Sequence, residues 1–109
     1  MDSFDARAWN EFFAREAREA ELYLESMPAL IAHSPGFAIV QTQHLAKRYV
    51  ADRLCGQITT HESALALLRA VAAERPSPLP EGAPEAEFTR WVREYARGYL
   101  RRIKGEAWG

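Results

Sequence analysis

The sequence predicts an all-α fold: an irregular antiparallel bundle of four main helices with one short additional helical turn. Two observations carry that prediction. Apolar residues recur at steps of three and four along four separate segments, the spacing that places them on one face of a helix. Helix-stopping clusters part those segments, namely Ser34-Pro35-Gly36, Gly56 and the proline-punctuated run from Pro76 to Pro84.

The first segment runs from Asp5 to Ser26. Ser3 or Asp5 can cap it, because either side-chain oxygen accepts from an orphan amide of the first turn. Trp9, Phe13, Ala17, Ala20, Leu24 and Met27 share one face, widened by Phe12 and Tyr23. Arg7, Glu11, Arg15 and Glu19 form an i,i+4 ladder on the outside. Pro28 suits the first position of a short turn over 28–33, either separate from this helix or a kinked extension of it.

The second segment, Phe37 to Cys55, places Ala38, Ile39, Thr42, Leu45, Ala46, Tyr49, Val50 and Leu54 on a broad apolar face. Its opening, Phe37-Ala38-Ile39-Val40, has the composition of a strand, but no partner strand is visible elsewhere. Gly56 is the expected C-cap. In the third segment, Thr59 and Glu62 read as a capping box. From Ala64 to Ala73 only Arg69 is polar, which predicts that residues 60–75 form the centre of the molecule.

The fourth segment carries the strongest pattern. Phe88, Trp91, Val92, Tyr95, Tyr99 and Ile103 form one stripe, and Arg90, Arg93, Arg97, Arg101 and Lys104 form another about half a turn away. The expected organisation is one helical domain over 1–109, with a core over 1–75, a connector over 76–84, a basic amphipathic helix over 85–104 and a tail over 105–109. The connector cannot continue a helix and favours an extended spacer.

Composition narrows the function classes. At 109 residues the chain buries roughly 65% of its unfolded surface, enough for one ordinary core. Hydrophobic residues make up 48% and charged residues 27%, the balance of a globular protein rather than a disordered one. The net charge of −1 supplies no global attraction to nucleic acid or membranes. Its distribution is uneven: residues 1–84 hold eight Lys/Arg against eleven Asp/Glu, and residues 85–104 hold six against three. Arginine outnumbers lysine twelve to two, which suggests GC-rich coding in a bacterium or one of its mobile elements. A lone cysteine, Cys55, and an N-terminus without a basic and apolar leader point to the cytoplasm.

The residues that could do chemistry are scattered. His33, His44 and His61 lie on different segments, and none has a second ligand three or four residues away. Cys55 stands at a helix C-terminus, where the dipole disfavours a thiolate. No serine elbow or glycine-rich phosphate cradle occurs. The expectation is a non-enzymatic chain with no metal and no cofactor. A helix-turn-helix across Gly56 is disfavoured, because Ala64–Ala73 offers almost no polar side chain to base edges.

The expected function is therefore a small protein-interaction module: an adaptor, an inhibitor or a small subunit of a bacterial assembly. In size and composition the chain is similar to small all-helical inhibitors carried by bacteriophages, without a motif that fixes a family. Candidate partner-binding residues are Arg90, Arg93, Arg97, Arg101, Lys104, Trp91 and Phe12. The cation stripe suits an acidic protein surface, or alternatively nucleic acid as an accessory binder. A third reading pairs it internally with Glu11, Glu16, Glu19, Glu21 and Glu25. Because Phe12 and Phe13 span too wide an arc for one neighbour, one of them, or Trp91, is expected to lie exposed as an anchor. Self-association fits the same surfaces, and membrane association does not.

Overall fold

The computed structural model describes residues 4–26, 37–76, 79 and 83–108. Among them it contains four helices and no strand: α1 (Ala6–Ser26), α2 (Phe37–Leu54), α3 (His61–Ala73) and α4 (Glu85–Trp108). The helices form an all-α bundle, as the periodicity predicts. Met27 and the turn expected over 28–33 lie outside the described residues.

Local chemistry sets the boundaries. Asp5 caps α1, its Oδ1 accepting from Ala8 N at 3.1 Å. The strand-like start of α2 is helical from Phe37. Gly56 takes a φ of +75° just beyond α2, a conformation that glycine adopts without a Cβ clash. The capping box of α3 lies one residue later than expected. Thr60, not Thr59, is the N-cap, and it accepts from Ser63 N at 3.0 Å while Thr60 N donates to Ser63 Oγ at 2.9 Å. The short Ser63 hydroxyl also accepts from Thr59 N at 3.0 Å, so Glu62 has no amide to reach for and remains exposed.

α4 runs four residues past its expected end at Lys104. A single interior glycine costs about 1 kcal/mol, and with no proline following, Gly105 does not stop the helix. The connector is tied down where it is described: Pro76 is buried, and Leu79 and Ala83 pack on the core.

The contacts give the helix directions. Along α1 and α2, Tyr23 meets His44 and Glu16 meets Lys47, and Asn10 meets Ile58 in the turn just beyond α2. Falling numbers on one side and rising numbers on the other make the pair antiparallel. Phe12 with Tyr99 and Trp9 with Arg102 show the same relation between α1 and α4.

The core runs through Phe13, Val50, Leu54, Leu68, Val71, Phe88, Val92 and Ile103, each almost fully buried. Each such side chain contributes about 1.5–3 kcal/mol relative to leaving it in water. The central helix is α2, which lies against each of the other three, and not α3. α3 packs chiefly on α4 and only lightly on α2, burying Ala64, Leu68 and Val71 while Ala66, Ala70 and Ala73 face solvent. Much of its apolar character is alanine, which favours helix whether or not it is covered.

Candidate functional site

α4 builds the candidate site. Pro84 stands one residue ahead of it, its carbonyl accepting from Phe88 N at 2.9 Å. Phe88, Val92, Ala96, Tyr99 and Ile103 turn inward and are buried. Arg90, Arg93, Arg97, Arg101 and Lys104 are exposed. At 100° per residue these five cations fall within an arc of about 80°, opposite the buried stripe, and span about 21 Å along the axis.

The stripe is not neutralised by α1. Glu16 points inward: its Oε1 accepts from Tyr99 OH at 3.1 Å and lies 3.5 Å from Lys47 Nζ, joining α1, α2 and α4. Glu11 pairs with Arg7 of its own helix at 3.3 Å. Glu19, Glu21 and Glu25 are exposed and form no ion pair among the described residues. Within α4, Arg90 lies 3.4 Å from Glu87 and Arg97 lies 4.0 Å from Glu94. Both pairs are solvent-exposed and hold their arginines only weakly. Among the described residues Arg93, Arg101 and Lys104 have no acidic partner.

A surface groove of about 790 Å³ runs beside the stripe, lined in part by Arg75, Ala86, Thr89, Arg90, Arg93 and Arg97. Arg75, at the start of the connector, reaches Glu85 Oε1 with Nη2 at 2.8 Å and joins the groove. Sequence reasoning missed this residue. No periodicity links it to α4, and only the fold places it there.

Of the aromatic candidates only Trp91 lies on α4, and none of Phe12, Phe13 and Trp91 is exposed. Phe13 is fully buried. Phe12 is half-buried, edge-on to Trp9, Phe13 and Tyr99, with the Arg102 guanidinium 4.6 Å above its ring. The expected exposed anchor is therefore absent at these positions. Phe12 and Phe13 share a neighbour despite their arc: both rings lie edge-on to Tyr99 of α4, with centroids 5.9 and 5.0 Å away. Trp91 is half-buried on the flank of the stripe, with Arg90 stacked 4.8 Å over its ring. Among the described residues, the large apolar side chains that face solvent are Leu22, Tyr23 and Ile39, at 55%, 49% and 55% exposure. Sequence periodicity had assigned Tyr23 and Ile39 to apolar faces.

Burial and the Glu16 charge raise the Tyr99 and Tyr95 phenols above their ordinary range, burial being the larger cause for each. His44 lies against Tyr23, ring centroids 3.9 Å apart, with Nδ1 shielded from solvent and without a hydrogen-bond partner among the described residues. Burial first, and then the Lys47 charge, lower its pKa. Cys55 is a free, half-buried thiol. No group of three His, Cys, Asp or Glu side chains among the described residues could hold a metal ion. No helix among them is long and apolar enough to cross a membrane.

The arrangement on α4 can attract and orient anionic groups. Arginine forks accept carboxylates or phosphates bidentately. The chain matches no family model, no curated protein and no solved structure at a significant level.

Proposed function

We propose that this chain is a small, non-enzymatic, cytoplasmic protein-interaction module, an adaptor, inhibitor or small assembly subunit, that engages an acidic partner through α4. The observation that supports this most is the outward cation stripe, in which Arg93, Arg101 and Lys104 carry no partner among the described residues. Uncompensated like charges on one face repel one another, and a complementary acidic surface relieves that repulsion. Such charges govern encounter and specificity more than residence time, as suits a small regulatory or assembly factor.

The test is capture on the immobilised protein, with the bound proteins identified by mass spectrometry. Wild type is expected to retain a partner that the Arg93→Glu/Arg97→Glu variant does not, with unchanged circular dichroism. Retention by both proteins alike would overturn the reading.

A further inference from the structure

Resting on that reading, we infer that the partner presents an acidic α-helix to α4, with carboxylates repeating at three- and four-residue intervals. From Arg90 to Lys104 the cations advance by three, four, four and three residues. These are axial steps of about 4.5–6 Å. Carboxylates at i, i+4, i+7 and i+11 of a second helix have the same pitch, so several guanidiniums can each meet an oxygen pair without either backbone distorting. Ala86 and Thr89, the small side chains of the groove, leave room for that helix to approach. The exposed Glu87–Arg90 and Glu94–Arg97 pairs are weak enough to exchange partners.

Other anionic occupants fit less well. Single-stranded nucleic acid is held by stacking on aromatic rings; among the described residues none lines this groove, and the nearby Trp91 ring is already covered by Arg90. A duplex is a wider and longer polyanion than one helix and also meets the remainder of the chain, where residues 1–84 hold eleven Asp/Glu against eight Lys/Arg. A lipid surface would require the apolar face of α4, which is buried in the bundle. A second copy offers no matching acidic stripe on α1, whose exposed residues mix Arg7, Arg15 and Arg18 with Glu11, Glu19 and Glu25.

Fluorescence anisotropy with defined probes tests the inference. The probes are a labelled, alanine-based helical peptide of about 20 residues with glutamates at that spacing, a scrambled peptide of equal composition, a duplex and a single-stranded oligonucleotide. The ordered peptide should bind at least about tenfold more tightly than the scrambled one. That binding should fall about tenfold in Arg93→Glu/Arg97→Glu and weaken from about 50 to 150 mM salt. Equal binding of the two peptides, tighter binding of either oligonucleotide, or dimerisation by sedimentation through α4 would overturn it. Arginine-dependent capture of a partner without such a helix overturns this inference and leaves the interaction module standing. Capture that ignores the arginines removes both.

Discussion

Asn10 on α1 clasps the backbone of Ile58, in the turn between α2 and α3, from both sides. Asn10 Nδ2 donates to Ile58 O at 2.8 Å, and Ile58 N donates to Asn10 Oδ1 at 3.1 Å. One amide side chain thus satisfies a donor and an acceptor of a part-buried turn 48 residues away, and fixes where α3 begins. Asn10→Ala leaves both backbone groups without partners, and each unsatisfied buried group costs about 1–3 kcal/mol. The expected outcome is a loss of about 2–4 kcal/mol in urea unfolding. A loss under about 0.5 kcal/mol would show that water replaces the clasp.

Leu68 is the most deeply buried large side chain of α3. Leu68→Ala should cost about 2–5 kcal/mol by chemical denaturation, the transfer term plus the cavity left behind. Leu68→Asp places an unpaired charge there and should abolish the cooperative thermal transition seen by circular dichroism.

Arg97 provides the contrast. Its side chain is exposed and meets only Glu94, at 4.0 Å. Arg97→Ala should therefore change the unfolding free energy by less than about 0.5 kcal/mol. A loss of several times that size would mean that the stripe is an internal ion-pair network.

His44 predicts the direction of an acid response. Its folded pKa lies below the ordinary 6.5, so the folded state binds a proton less readily than the unfolded chain. The stability it contributes is present above that ordinary value and is lost as pH falls through the folded pKa. Melting temperatures should drop as pH is lowered below about 6.5, and His44→Phe, which keeps a ring against Tyr23, should shallow that part of the slope. An unchanged slope in His44→Phe would assign the acid response to other groups.

Particular residues show how far the sequence could be read. The five cations of α4 were legible because helical geometry alone fixes their mutual placement once Phe88, Val92 and Ile103 define the inner face. Gly56 was legible for a similar reason, since a glycine just past a helix end has few other uses. Arg75 was not, because its approach to the groove depends on how the connector folds back. The Thr59–Glu62 box failed by one residue because two adjacent threonines can each cap, and Ser63 decides between them through its own hydroxyl. The central role given to α3 failed because apolar composition does not distinguish a covered alanine from an exposed one. Phe12 is covered because the large Tyr99 ring meets both it and Phe13 and Arg102 lies over its ring, and helical spacing along α1 reveals neither.

The position of α2 determines how the molecule comes apart. Ala46, Val50, Ala51 and Leu54 have no exposed surface, and α2 lies against every other helix. Their amide protons cannot reach solvent by local fraying; exchange with deuterium there requires loss of the whole bundle at once. The stretch from Ala46 to Leu54 should be the last to exchange, while the solvent-facing end of α1 near Leu22 exchanges early.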